Sequence, residues 1–417
     1  MSMMFANKEG RPAAADNPPC RLEFPAWPHY DDDEVAAATA VLRSGRVNYW
    51  TGTEGRCFEQ EYARAVGVPH AVTLANGSVA LELALAMLGI GPGHEVITSP
   101  RTFIASASCA VMRGAKPVFA DVDRDSQNIS AATIERVLSP RTRAIVVVHL
   151  AGWPCEMESI LQLANSKNIA VIEDCAQANG ARYQDRAVGS FGVFGAFSFC
   201  QDKIMSTGGE GGLLVTQDES LWSRAWSFKD HGKNYHASHR RDHPPGFRWL
   251  HESFGTNWRM TEFQAAIGRR QLIKLEDWIE RRRLNAQRLR EGFSEISAIR
   301  VPVPDAHIRH AYYKFYAFLD TSRLKTNWTR DRIVAEVTAR GVPCFSGSCS
   351  EVYLERAFDG SDARPAQRLP VARELGETSL MFLVHPTLML EHMDRTCLVV
   401  RDVIDEAIGD GHPRTCI

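Results

Sequence analysis

His70-Ala-Val-Thr-Leu-Ala-Asn76, followed at once by Gly77-Ser-Val-Ala-Leu-Glu-Leu-Ala-Leu-Ala-Met-Leu88, is the stretch on which the fold turns. The first part is an apolar run of strand length, and the second has the composition and length of a helix. Gly89, Gly91 and Gly93 then end the helix. A buried strand running through a glycine turn directly into a helix is the beginning of a β-α alternation, and the chain on either side continues it.

Further strands are expected at Glu95–Thr98, Pro117–Asp121, Ala144–His149 and Ala170–Asp174, with helical stretches near 103–114, 130–138 and 156–166. Such alternation implies right-handed crossovers and a largely parallel sheet covered by helices on both faces. Phe194–Phe199 and Gly212–Thr216 add two more apolar runs, separated by a glycine cluster. Residues 218–255 are dense in His, Arg, Lys and aromatics and read as including a long excursion from the core. Met260 to about Phe293 lacks proline and keeps helical spacing, as one long helix or two with a break. Beyond it, a strand at Tyr312–Leu319, a helix at Arg330–Arg340 and a last helix near Leu390–Ala407 suggest a smaller α+β unit. The expected division is a mobile arm over 1–22, a large α/β domain over 23–290 and a small C-terminal α+β domain over 291–417.

Composition narrows the functional classes. The 417 residues carry 48 Lys plus Arg against 50 Asp plus Glu, a formal charge of −2, so no global field favours a polyanion and nucleic acid is a poor candidate. Hydrophobic residues at 44% and charged residues at 24% are ordinary for globular chains. No apolar run reaches the roughly 18 to 20 residues that span a bilayer, and the first residues lack an apolar core segment, so a cytoplasmic protein without membrane contact is expected. The ten cysteines include no C-x-x-C pair, so neither a metal site nor a disulfide framework is expected. Cys109, Cys175 and Cys200 lie in apolar segments, as small buried hydrophobes do.

Three places have the makings of chemistry. Asn76-Gly77-Ser78 puts a glycine turn and a hydroxyl at a helix start, where free N–H groups and the dipole suit a phosphate; taken alone the pattern is more often an ordinary cap. Glu173-Asp174 closes an apolar strand, and in open α/β sheets ligands gather beyond the carboxyl ends of strands. The competing reading is a cap or turn. Ser198-Phe-Cys-Gln-Asp-Lys203, before Gly208-Gly-Glu-Gly-Gly212, offers a lysine that burial would turn into a nucleophile toward a carbonyl. A lone lysine is usually solvated. Together the three supply a phosphate cradle, a Schiff-base amine and a carboxylate for a pyridinium nitrogen, the needs of a pyridoxal phosphate site.

Order and spacing then carry a resemblance. From about residue 23 to 405 the chain resembles the sugar aminotransferases of the DegT/StrS type, which are fold-type I pyridoxal phosphate enzymes. The resemblance rests on Asn76-Gly77-Ser78-Val-Ala-Leu, Gly91-Pro-Gly-His-Glu-Val-Ile97, Ile172-Glu-Asp-Cys-Ala-Gln-Ala178, Phe197-Ser-Phe199 with Lys203, and Gly255-Thr-Asn-Trp-Arg-Met260 leading into Gln264-Ala-Ala-Ile267. It implies a seven-stranded, mainly parallel sheet in the large domain. It also implies that Lys203 holds the cofactor and shuttles the substrate proton, Asp174 pairs with the ring nitrogen, and Gln177 contacts the ring hydroxyl side. Phe103 would stack on the ring, its alternative being a core residue at a helix start. Gly77, Ser78 and Ser198 would bind the phosphate, and Asn257 would reach the phosphate of a second subunit in a homodimer with shared sites. Arg259 would clamp the donor carboxylate, its alternative being a surface or interface ion pair.

His310, Tyr312, Tyr313 and Lys314 lie where the family places acceptor-facing residues, with strand packing as the competing reading for the tyrosines. The implied reaction moves nitrogen from an amino acid, glutamate or glutamine, through the pyridoxamine form to a nucleotide-linked keto sugar. A keto cyclitol is the alternative acceptor, and a non-catalytic regulator on the same scaffold is the alternative from another class. A dehydrating branch of the family has histidine in place of the lysine, and Lys203 argues against it. Two departures stand out. Asn179 replaces a histidine frequent in the family, and Lys233–Glu252 is longer than the family core requires, serving either a nucleotide diphosphate or only as a solvated insertion.

Overall fold

The computed structural model describes residues 22–239 and 249–408. The expected arm over 1–22 lies, but for its last residue, outside the described residues, as does the middle of the His- and Arg-rich stretch.

Seven strands form the central sheet, in the order His70–Leu74, Gly212–Thr216, Phe194–Ser198, Ala170–Asp174, Thr142–Val148, Glu95–Thr98, Lys116–Phe119. Gly212–Thr216 is antiparallel to both of its neighbours, and every other pairing is parallel. The near-continuous apolar sequence of these strands follows from burial on both faces: one core packs helix Gly77–Met87 and Trp226 against the sheet, and another packs Ile160, Ala164 and Tyr183 on the opposite side. All the parallel strands end on one edge, and Asp174 and Ser198 stand at that edge.

Thr261 caps the next helix with its side chain facing Gln264, and no proline occurs in the 33 residues after it, so Glu262–Ser294 is a single helix. Its early turns pack on the large sheet's helices, while Ala286, Leu289 and Phe293 belong to a second core. That core sits on a four-stranded antiparallel sheet, in the order Ile299–Arg300, Phe315–Leu319, Ser379–Phe382, Cys344–Phe345. The expected division near residue 290 therefore falls inside a helix that both cores share. Among the described residues no helix is long and apolar enough to cross a membrane.

Two expectations change. The segment read as an excursion contains helix Glu219–Lys229, whose Ala225 and Trp226 are fully buried in the core; its charged neighbours hide this in the sequence. The strand expected from Tyr312 begins at Phe315 instead. Tyr312 adopts φ 46°, and its neighbours Ala311 and Tyr313 donate to the Gly152 and Ala151 carbonyls rather than to a strand.

Candidate functional site

The Ala170–Asp174 strand turns its last two carboxylates to opposite faces, as pleating requires, and the two have different surroundings. Glu173 accepts the N–H groups of Gly189, Phe191 and Gly192 at 2.7, 2.7 and 2.8 Å. His149 Nδ1 accepts from Cys155 N–H, which leaves the ring proton on Nε2, 3.1 Å from Glu173. Every oxygen of Glu173 is thus used inside the protein, and it is a structural acid.

Asp174 is different. It is buried, Ser106 Oγ donates to its Oδ2 at 2.6 Å, and Ala176 N–H donates to Oδ1 at 3.1 Å. Thr102 Oγ1 lies 2.8 Å from Ser106 Oγ, so with the Ser106 proton committed to the acid, Thr102 donates to Ser106. Burial pushes the Asp174 carboxyl above its ordinary range, while Ser106, Ala176 and the nearby Lys203 charge hold it down. Neither Ser106 nor Thr102 stands out in the sequence. Their i, i+4 spacing at a helix start is the one signal that places them on a common face.

Lys203 comes after the Phe194–Ser198 strand. Its backbone is fixed by Trp27 Nε1 donating to its carbonyl at 2.8 Å and by its own N–H donating to Cys200. The amine is mostly buried, 3.9 Å from Asp202 Oδ1 and 4.8 Å from the Tyr313 ring centre. Tyr313 donates its hydroxyl to Asp202, so the tyrosine and the acid form a frame around the lysine.

The phosphate candidates meet at the start of helix Gly77–Met87. Asn76 caps it by accepting from Val79 N–H at 3.0 Å. A Cβ on Gly77 would lie 2.6 Å from the Ser198 Cβ, so only glycine lets the helix end approach Ser198 this closely. Ser78 is exposed on the first turn, and Phe103 is 55% exposed, which excludes the core alternative for that ring. Gln177 is buried and accepts Ala151 N–H at 2.8 Å, leaving its amide nitrogen as the available donor. Ala151 and Gly152 in turn receive the N–H groups of Tyr313 and Ala311, so Gln177 links the acidic strand to the 310–313 segment.

The structure does not bring every candidate here. Arg259 donates NH1 to the fully buried Asp230 at 2.8 Å, where Lys233 and Trp50 also bond, and its Nε is buried without a hydrogen-bond partner. Asn257 lies beside it, exposed and bridged to Asp230. Asn179 is buried and accepts the Tyr62 hydroxyl through its side-chain oxygen. His310 is buried and stacked on Tyr312 at 3.8 Å, with Nδ1 accepting Tyr312 N–H.

Burial pushes His310 down to about 3, and His385 likewise to about 3. In the unfolded chain both regain the ordinary value near 6.5. Between those values the unfolded state binds more protons, so stability is full above about pH 6.5 and declines as pH falls toward 3. Urea midpoints measured from pH 7.5 to 4.5 are expected to drop steadily, with a shallower slope in His310→Gln; equal slopes would remove His310 as a contributor.

The donor set suits pyridoxal phosphate: a glycine-lined cradle with a serine for an anion, a buried acid poised for a cationic ring nitrogen, a confined amine for an aldehyde, and an exposed aromatic beside them. The model of the DegT/DnrJ/EryC1/StrS aminotransferase family matches residues 28–401. The chain is 34% identical to the GDP-perosamine synthase of Escherichia coli O157:H7, over 84% of this chain and 90% of that one. It is also 34% identical to the dTDP-3-amino-3,4,6-trideoxy-alpha-D-glucose transaminase of Streptomyces venezuelae, over 89% and 91%. The solved structure of an aminotransferase from Psychrobacter cryohalolentis matches with a TM-score of 0.90 at 52% identity, covering 92% of this chain and 99% of that one.

Proposed function

Because the chain belongs to the DegT/DnrJ/EryC1/StrS aminotransferase family, and is therefore a pyridoxal phosphate-dependent transaminase, we propose that it aminates a nucleotide-linked keto sugar in amino-sugar biosynthesis, with glutamate or glutamine as donor. The observation that carries the site is the pairing of a buried Asp174, held by Ser106, with a confined Lys203 on the same sheet edge. The relatives that act on GDP- and dTDP-linked sugars support the acceptor class.

When bound, pyridoxal phosphate supplies an aldehyde for the amino group and a ring that takes up the electron pair freed at the substrate carbon. The chain's residues supply the rest. Gly77, Ser78 and Ser198 receive the phosphate at the helix N-terminus, where N–H groups and dipole favour an anion. Asp174 would stay ionised against a cationic ring nitrogen, with the Thr102–Ser106 hydroxyl chain orienting its Oδ2. Gln177 would offer its amide N–H to the ring oxygen, and Phe103 would cover the ring face. The Lys203 amine would hold the cofactor through its aldehyde carbon and, when free, would be the base that takes the proton from the substrate carbon bearing the nitrogen and returns it on the cofactor side. Tyr313, beside Lys203, would border the acceptor side, with His310 and Tyr312 stacked on each other in the same segment. A homodimer in which Asn257 reaches the partner's phosphate is part of the same reading; Trp258, the next residue, accepts the Ala75 N–H at 2.9 Å, beside the Asn76-Gly77 turn.

The test is spectroscopic. The purified yellow protein is expected to lose its long-wavelength band on adding glutamate or glutamine and to regain it with nucleotide-linked keto sugars, in ping-pong fashion. Recovery with keto cyclitols and not with keto sugars would move the assignment to aminocyclitol formation. Ser106→Ala is expected to keep the cofactor and lose roughly 10- to 100-fold in kcat, the worth of one hydrogen bond to a charged group.

A further inference from the structure

Arg101 sits just past the Glu95–Thr98 strand and is fully buried. Its Nε donates to Gln127 Oε1 at 2.9 Å and its guanidinium lies 5.3 Å from the centre of the Tyr316 ring. Both terminal nitrogens, NH1 and NH2, are buried without a hydrogen-bond partner. Among the described residues no carboxylate pairs with it. The ionisable groups that act on it include no carboxylate: they are Tyr316, Cys349 and a second cation, Arg330. A guanidinium stays charged in proteins, and leaving it unpaired in the interior costs several kcal/mol.

Its surroundings belong to the reaction site. Thr102, the next residue, begins the hydroxyl chain that ends on Asp174, and Phe103 comes next. Thr102 N–H donates to the Cys349 carbonyl at 3.1 Å, and the Tyr316 hydroxyl accepts Ser348 N–H at 2.9 Å, so the 348–349 loop of the small unit covers the arginine. Gln127 and Tyr316, the two side chains that hold the guanidinium, also line a small cavity with Trp153, His310 and Tyr312.

We propose that Arg101 receives a substrate carboxylate through NH1 and NH2, the role that the sequence suggests for Arg259, whose NH1 is committed to Asp230. A planar fork with two free, parallel donors matches two in-plane oxygens, and pairing them completes the one unsatisfied charge beside the Asp174 turn. This rests on the transaminase reading and adds to it the group that fixes substrate orientation. The carboxylate belongs either to the amino donor or to an acidic keto sugar, and both present the same pair of oxygens.

The test compares wild-type holoenzyme with Arg101→Gln and Arg101→Lys. Glutarate, a dicarboxylate with no amino group to react, is titrated calorimetrically, and the two half-reactions are followed separately by absorbance. In Arg101→Gln, glutarate affinity and the glutamate half-reaction at low donor concentration are expected to fall roughly 10- to 100-fold, with the covalently held cofactor retained, the ligand-free thermal midpoint unchanged or raised because an unpaired buried charge is gone, and partial rescue in Arg101→Lys. Unchanged glutarate binding, with a selective loss for a keto-uronate acceptor over its neutral counterpart, assigns the same arginine to the acceptor's acid. No change in any of these three overturns the proposal and leaves Arg101 as packing under Tyr316. Should Arg101→Gln fail to fold, the same ratios are read in Arg101→Lys. Wild-type enzyme that binds glutarate yet turns over no donor contradicts the transaminase reading, while the loss of glutarate binding on substitution still tests Arg101.

Discussion

Lys203→Ala is expected to leave a folded protein that carries no covalently attached cofactor and has lost at least about 10³-fold in turnover. The fold should survive because backbone contacts fix this position: the carbonyl bonded by Trp27 Nε1 and the N–H bonded to Cys200 do not depend on the side chain. The loss should be large because one amine has two tasks. A positioned acid–base group contributes roughly 10²- to 10⁴-fold, and capture of the aldehyde adds to that. Lys314 is the internal comparison. Burial pushes its amine down to about 8, and it approaches the same Tyr313 ring at 4.7 Å, so nucleophilicity alone would make it a rival. Lys314→Met is expected to keep the adduct that Lys203→Ala loses. Mass spectrometry after borohydride reduction reads both variants, and an adduct that moved or persisted in Lys203→Ala would falsify the assignment of the amine.

The parts of this molecule legible in the sequence are those that local pattern decides. Ala170–Asp174 and Gly212–Thr216 are strands with the expected bounds, since an apolar run closed by a charged or polar residue needs no distant partner to be recognised. Leu390–Ala407 is likewise a helix over its expected span. The misread positions are those that a remote contact decides. The ion pair between Arg259 and Asp230, 29 residues upstream, has no local signature and appears only in the fold. Tyr312 continues an apolar run and reads as strand, yet the Ala151–Gly152 turn captures its neighbours and bends it to a positive φ. Trp226 lies in the stretch read as including an excursion, although its side chain is fully buried. Ser106 is the instructive case. Nothing about a serine in Ala105–Met112 announces a carboxylate partner 68 residues later, and only the sheet's topology brings the two within 2.6 Å.

Asp174→Asn is expected to move stability and catalysis in opposite directions. The folded carboxyl is raised above its ordinary range, chiefly by burial. A raised carboxyl proton affinity means that ionisation favours the unfolded chain: the fold bears no such cost below the ordinary carboxylate range and bears it in full once pH exceeds the raised value. Asparagine removes the charge while keeping an acceptor for Ala176 N–H and an amide donor toward Ser106. Cofactor-free Asp174→Asn should therefore melt above the cofactor-free parent at pH 8, with the two curves converging as pH is lowered toward 4. With the cofactor bound, the same substitution leaves a cationic ring nitrogen without its partner in a buried site. Breaking such a pair costs about 3–5 kcal/mol, which corresponds to roughly 10²- to 10⁴-fold in kcat. An acid kept only for structure would show the reverse pattern, with melting temperature and rate falling together. Parental turnover in Asp174→Asn would place the electron-withdrawing partner elsewhere. The stability gain in the empty protein and the catalytic loss in the loaded one are one quantity seen from two sides, since a carboxylate that the fold alone disfavours is retained for the positive charge it meets when the cofactor is in place.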